Sequence, residues 1–291
     1  MQTLETTPQL RQSIHHWRQS GDRIALVPTM GNLHAGHLQL VEAARDHADR
    51  VVVSIFVNPM QFSDASGNGG DFERYPRTFE ADCVQLSAHN ADAVFAPSVA
   101  EVYPSGLEQS SRIEVPGISD ILCGEFRPGH FVGVATVVAK LFNMVQADVA
   151  LFGEKDYQQL LVIQRLVADL CFPIDVIAVP TIREANGLAM SSRNQYLSAA
   201  QREQAAVMYQ TLLWVRQHIG EFEGDFAALE AQACARLVEA GFRPEYVAIR
   251  RAQDLLPPSL VPGEEMGLRI LAAAWLGEAR LIDNIPVPNI D

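Results

Sequence analysis

Ile24-Ala25-Leu26-Val27-Pro28-Thr29-Met30-Gly31-Asn32-Leu33-His34-Ala35-Gly36-His37, followed by Leu38, Val41, Ala44 and Ala48 at helical spacing, decides how this chain is built. Residues 24–27 are a continuous apolar run of the kind that fills a buried strand, and positions 38, 41, 44 and 48 mark one face of a helix over 36–48. Gly31 supplies the turn between them. The helix therefore begins at the carboxyl end of a strand. Its first N–H groups lack intrahelical acceptors and its dipole end is positive, so the spot favours an anion. His34 and His37 add two side-chain donors there, and Gly36 leaves the backbone approachable. Taken alone, H-x-G-H leaves a metal pair or a merely polar helix end open. A metal pair needs further ligands, and the other histidines and the four cysteines show no zinc-site spacing. Phosphate is the preferred reading on that ground, and no protein metal site is expected.

Working outward, apolar runs at 24–27, 51–57, 93–95, 149–152 and 175–179 alternate with helical patterns at 36–48, 79–89, 132–145 and 158–169. That order predicts an α/β fold, a doubly wound parallel sheet with helices on both faces and its ligand crevice at the strands' carboxyl ends. The loops 29–37, 58–62 and 153–156 should all open onto that crevice. After Asn194 the pattern changes. Ser198-x-x-Gln201 is a capping-box signal for a helix reaching about residue 219, Asp225 caps a second ending at Gly241, and short strands follow at 246–250, 268–275 and 279–285. The expectation is an N-terminal domain over 1–182 and a smaller α+β C-terminal domain over 183–291.

Composition narrows the function classes. With 291 residues, 48% hydrophobic and 20% charged, the chain can bury a full core. A net charge of −13 opposes general affinity for nucleic acid, so no nucleic-acid partner is expected and any polyanion must meet a local positive site. The longest run free of Asp, Glu, Lys and Arg, residues 51–63, is too short for a membrane helix, and residues 1–10 lack the pattern of a secretory signal. Four scattered cysteines suggest reduced thiols and a cytoplasmic setting.

Basic residues gather near the promising loops: Arg127, Lys155, Arg183 and Arg193. Gly153-Glu154-Lys155-Asp156 follows a predicted strand, where the Lys155 ammonium can neutralise phosphate. Met190-Ser191-Ser192-Arg193 offers two hydroxyls and a guanidinium suited to a triphosphate. Gln61, in Asn58-Pro59-Met60-Gln61-Phe62, and Gln159 can hold a small polar substrate without adding charge. His130, in Arg127-Pro128-Gly129-His130, reads equally as a plain helix entry, and Glu73-Arg74-Tyr75-Pro76-Arg77-Thr78 as a substrate loop or a solvated charge run. G-x-S-x-G, G-x-x-x-x-G-K-[ST] and a strand-following G-x-G-x-x-G are absent.

Together, and in this order over nearly the whole chain, the 28–37, 58–62, 73–78, Gly153-Glu154-Lys155-Asp156-Tyr157-Gln158-Gln159 and Met190-Ser191-Ser192-Arg193-Asn194 motifs resemble the pantothenate synthetase (pantoate–β-alanine ligase) family of the H-x-G-H nucleotidyltransferases. The resemblance implies a Rossmann-like first domain and a C-terminal lid. It further implies ATP-dependent condensation of (R)-pantoate with β-alanine to pantothenate, AMP and pyrophosphate through a pantoyl-adenylate, a step of the coenzyme A pathway. ATP would be a substrate, accompanied by Mg²⁺. His37 would be the catalytic proton donor. Met30, Gly31, Asn32, Leu33, His34, Ala35, Gly36, His37, Gly153, Glu154, Lys155, Asp156, Ile182, Met190, Ser191, Ser192 and Arg193 would bind ATP, with Ile182 at a backbone contact to adenine. Gln61 and Gln159 would hold pantoate, and Gln61 would also border β-alanine. Family members are commonly homodimers. The loop 63–71 is longer than is usual for the family. Another adenylyl- or cytidylyltransferase with a different acceptor, and an ATP-sensing module without turnover, are the competing readings.

Overall fold

The computed structural model describes residues 1–62, 70–222, 224–258 and 267–288, so most of the long loop at 63–71 lies outside the described residues. The chain divides into two compact units, Met1–Glu154 with Gln159–Pro180, and Lys155–Gln158 with Thr181–Asp291. The division thus falls at Pro180/Thr181 instead of after residue 182. Residues 155–158, placed by sequence in the first domain, belong to the second unit.

The first unit is a six-stranded sheet: β1 (Gln2–Leu4), β2 (Ile24–Thr29), β3 (Arg50–Ile55), β4 (Ala93–Phe95), β5 (Val149–Gly153) and β6 (Asp175–Val179), in the order β1-β4-β3-β2-β5-β6 and parallel throughout. Alternation along β2 sends Ala25 and Val27 to one face, where they pack with Leu40, Val41, Ala44 and Leu86 of the helices Ala35–Ala44 and Phe79–Ala88. Ile24 and Leu26 take the other face and are fully buried as well. On that side the helix His130–Val145 sets Phe142 against Phe152 of β5 at 6.4 Å between ring centroids. Burial on both faces is why these strands read as unbroken apolar runs.

β1 and the helix Thr7–Gln19 extend the predicted pattern at its N-terminal end. The helix carries its own start signal, a capping box between Thr6 and Gln9 that encloses Pro8, and buries Leu10, Ile14 and Trp17 at helical spacing. β1 then pairs in parallel with β4.

In the second unit β7 (Arg243–Arg251), β8 (Leu268–Leu276) and β9 (Ala279–Val287) form an antiparallel sheet in sequential order. The helices Ala199–His218 and Phe226–Glu239 cover it, burying Met208, Leu212, Leu229 and Leu237 against Ile249, Ile270, Ala272 and Ile285. The Ser198/Gln201 capping box is fully formed.

One glycine in the first unit sets a close approach that the site depends on. A Cβ on Gly133, in the helix His130–Val145, would stand 2.6 Å from the backbone nitrogen of Gln61 and 2.7 Å from the Met60 carbonyl carbon. Neither backbone atom can move aside cheaply. Gly133→Ala should therefore destabilise the chain by about 1–3 kcal/mol, the range for overpacking. In a thermal melt the midpoint should fall by several degrees, and an unchanged midpoint would contradict the contact.

Candidate functional site

β2 is flanked by β3 on one side and β5 on the other, so the strand order reverses beside it. The parallel pairing puts the carboxyl ends of β2, β3 and β5 on one edge, and a reversal of this kind opens a crevice there. The loop leaving β2 is built tightly. Thr29 Oγ1 donates to the Ser54 carbonyl at 2.7 Å and accepts from Gly31 N–H at 3.2 Å. Gly31 and Asn32 then take left-handed φ values of 80° and 52°. Asp82, 1% exposed on the helix Phe79–Ala88, accepts the N–H groups of Asn32 at 2.9 Å and Leu33 at 2.8 Å and the Thr78 hydroxyl at 3.0 Å. The backbone N–H groups of Asn32 and Leu33 therefore serve the carboxylate, not a phosphate, and the Leu33 side chain is core.

His34 is the N-cap of the helix Ala35–Ala44. Its Nδ1 accepts from Gly36 N–H at 3.1 Å, and His37 Nδ1 accepts from His34 N–H at 3.4 Å, a capping box made of two imidazoles 4.0 Å apart. With Nδ1 accepting in both neutral rings, each ring proton lies on Nε2. The polar helix end, one alternative in the sequence, is formed, and it is compatible with a donor at each Nε2. Binding a metal through Nε2 would move the protons to Nδ1 and break both caps, which argues against the H-x-x-H metal pair.

Gln61 lies in the turn Pro59–Phe62 after β3, and its amide is oriented from behind. Tyr103, its phenol pushed well above the ordinary pKa by burial, donates to Asn58 Oδ1 at 2.7 Å. Asn58 Nδ2 in turn donates to Gln61 Oε1 and to the Gly133 carbonyl, each at 3.1 Å. Gln61 consequently presents its NH₂ end, which lies 3.3 Å from Met30 Sδ. His130 is more than a helix entry, since its Nδ1 donates to the Gln61 carbonyl at 3.0 Å while Nε2 accepts from Arg127 at 3.1 Å. In the 73–78 segment Arg77 closes a loop onto the carbonyls of Phe72, Glu73 and Tyr75, and Tyr75 packs edge-on against Phe62. Gln159 is half-buried at the start of its stretch of the first unit.

In the second unit Lys155, Ser191, Asn194, Tyr209 and Asp283 line one cleft. Ser191 caps the turn Ser192–Tyr196, its Oγ accepting from Arg193 N–H at 3.2 Å, and buried Asn194 donates to Glu184 and to the Ala189 carbonyl. The Ile182 carbonyl accepts from Met190 N–H at 2.9 Å. Lys155 and the Met190–Arg193 segment thus fall within one unit, whereas the sequence reading placed Lys155 in the first domain. Arg183 is not a ligand cation: it is spent on Asp283, at 2.6 and 2.8 Å, and stacks on Tyr209 at 3.8 Å. Burial pushes the Asp283 carboxyl above its ordinary pKa, with Arg183 opposing.

Asp82, Tyr103, His130 and Asp283 were not assigned to the site from sequence. His130 stood out only as a helix entry, and Asp82 carried a signal as a carboxylate four residues before Leu86 on the buried face of its helix.

The pantoate-beta-alanine ligase family model matches residues 2–286. Pantothenate synthetase of Idiomarina loihiensis is 55% identical over 289 residues, covering 99% of each chain, and that of Alkalilimnicola ehrlichii 53% over 285 residues, covering 98% of this chain and 97% of its own. The pantothenate synthetase structure from Thermus thermophilus superposes with a TM-score of 0.87 at 46% identity, covering 99% of each chain. The Francisella tularensis ligase, described as complexed with beta-gamma ATP and beta-alanine, gives 0.78 at 34% identity, covering 98% of this chain and 97% of its own. With this fold, these motifs in place and likeness over its full length, the chain belongs to the pantoate-beta-alanine ligase family.

Proposed function

We propose that this chain condenses (R)-pantoate with β-alanine using ATP, with AMP and pyrophosphate as the other products. The observation that carries the proposal is the imidazole pair at a helix N-terminus, both Nδ1 atoms held by backbone N–H groups so that the ring protons sit on Nε2. In the first step a pantoate carboxylate oxygen attacks the α-phosphorus and pyrophosphate departs. Negative charge grows on the departing oxygens, and pre-aimed donors lower that barrier. His37 supplies the proton-bearing donor, with His34 beside it. Met30, Gly31, Ala35 and Gly36 shape the first unit's phosphate side, with Gly153 at the end of β5 and Glu154 just after it. In the second unit Lys155, Asp156, Met190, Ser191, Ser192 and Arg193 are assigned to ATP, with Ile182 at a backbone contact to adenine. In the second step the β-alanine amine attacks the activated acyl carbon and AMP leaves, which needs alignment and exclusion of water more than a further acid or base.

Gln61 and Gln159 hold pantoate in this reading. The NH₂ end that Gln61 presents suits the acceptor oxygens of a hydroxy acid. Mg²⁺ would enter with ATP. The donors assembled here are mainly imidazole, ammonium, hydroxyl and amide groups, and no group of three His, Cys, Asp or Glu side chains suited to a metal occurs among the described residues. Such a set fits an ion held chiefly by phosphate oxygens and water. The cytoplasmic homodimer implied by family resemblance belongs to the same proposal. Light scattering on the purified chain tests the dimer: twice the 32.0 kDa chain mass is expected, and a concentration-independent 32.0 kDa species would refute it.

The adenylate route predicts that pantoate and ATP, without β-alanine, support exchange of labelled pyrophosphate into ATP. Exchange that strictly requires β-alanine would rule the route out. In single-turnover adenylation His37→Ala should lose about 10²- to 10³-fold in rate, the usual effect of deleting one pre-aimed donor. It should also lose about 0.5–2 kcal/mol of stability as the acceptor for His34 N–H disappears.

Asp82→Asn turns one acceptor oxygen into a donor facing another donor. We expect a loss of about 1.5–3 kcal/mol in chemical denaturation, together with slower adenylation. A variant of wild-type stability and rate would show that the carboxylate does not hold the loop. For Gln61→Ala, calorimetry should show pantoate weakened by roughly 5- to 150-fold with ATP almost unaffected. Equal weakening of both ligands would instead make Gln61 a general support of the crevice.

A further inference from the structure

Asp283 and Asn284, neighbours on β9, send their side chains to opposite faces of the sheet, as adjacent strand residues do. Asp283 lies between Leu281 and Ile285 on the face turned to the helix Ala199–His218. With 3% of its side chain exposed, it takes both terminal nitrogens of Arg183. Arg183 begins a hairpin: it bridges to Ala189, Glu184 N–H donates to the Leu188 carbonyl at 2.8 Å, and Met190 N–H donates to Ile182 at 2.9 Å. The same guanidinium reaches the Gly187 carbonyl at 3.1 Å. Gly187, with φ of 95°, presses its backbone onto Tyr209 so closely that a Cβ would stand 2.6 Å from the ring. The hairpin is therefore clamped at its base by Asp283 and at its tip by Tyr209, and it runs directly into Met190–Arg193.

On the other face Asn284 Nδ2 donates to the Lys155 carbonyl at 2.9 Å, and Asn284 Oδ1 accepts from Arg269 Nε at 2.7 Å. Arg269 stacks on Tyr157 at 3.6 Å, and the Tyr157 hydroxyl donates to the Ala252 carbonyl. The short Lys155–Gln158 segment is thereby fastened to the same strand. One strand holds two sequence-distant pieces that carry two cations and two hydroxyls.

We propose that Asp283 and Asn284 are positioning residues that set the spacing between Lys155 and the Ser191–Arg193 segment, and so determine how well the second unit grips a triphosphate. The proposal rests on the ATP reading above. Neither residue touches substrate in it. A bidentate buried pair fixes direction as well as distance, and removing one partner leaves the other charge buried and uncompensated.

Asp283→Asn and Arg183→Lys test it, the second keeping the charge while losing the planar fork. Three readouts are needed: initial rates against ATP and against pantoate, amide exchange over residues 182–190 without ligand, and the melting temperature. We expect KM for ATP to rise about tenfold or more, KM for pantoate to stay within about twofold, and exchange over 182–190 to quicken while the sheet remains protected. Folded variants with wild-type exchange, or with equal rises in both KM values, would overturn the proposal. If Asp283→Asn does not fold, Arg183→Lys decides by the same measurements. Should the unmodified chain condense no pantoate with β-alanine, the functional reading falls, and ligand-free exchange alone decides whether Asp283 pins the hairpin.

Discussion

The Asp82 carboxylate, buried and accepting the N–H groups of two consecutive loop residues, is the interaction on which the first unit's site rests. A carboxylate withdrawn from water is tolerable only when hydrogen bonds replace its hydration, and here two amides and the Thr78 hydroxyl do so. In return, the loop is held through two successive residues of positive φ, Gly31 and Asn32, a conformation costly to maintain without outside contacts. Everything downstream inherits that geometry. His34 can be the N-cap only because the chain enters the helix at this angle, and His37 can reach back to its N–H only from the third helical position.

In the proposed function the two units bring different groups to phosphate. The first uses a helix dipole and capped N–H groups at the edge of a parallel sheet, an arrangement that attracts anions before any charged side chain is added. The second unit contains the first residues of the helix Tyr157–Asp169, just after Lys155, and only a short turn at Ser191. It relies on explicit cations and hydroxyls, held on a hairpin and a short turn by hydrogen bonds to one antiparallel strand. Rigid support is needed there because long side chains such as lysine and arginine lose much conformational freedom when they are fixed.

Much of the fold was legible in the sequence because periodicity reports burial. Strands buried on both faces must be apolar throughout, so 24–27 and 93–95 announced themselves, and the Ser198/Gln201 box marked a helix start that the structure reproduces. The 24–37 segment also declared its local conformation, since a strand, a glycine turn and a helix start dictate where N–H groups point. Only the tertiary structure decided how the polar groups are shared out. Arg183 reads in sequence as a basic loop residue suited to a ligand, yet it is spent on Asp283, a residue 100 positions away. The N–H groups of Asn32 and Leu33 look like phosphate donors until Asp82, 50 and 49 residues on, takes them. Lys155 follows a strand of the first unit and folds with the second. The reason is physical: backbone conformation answers to neighbours within a few residues, whereas the partner of a buried charge is whatever the packed chain brings within about 3 Å, and local spacing carries no record of it.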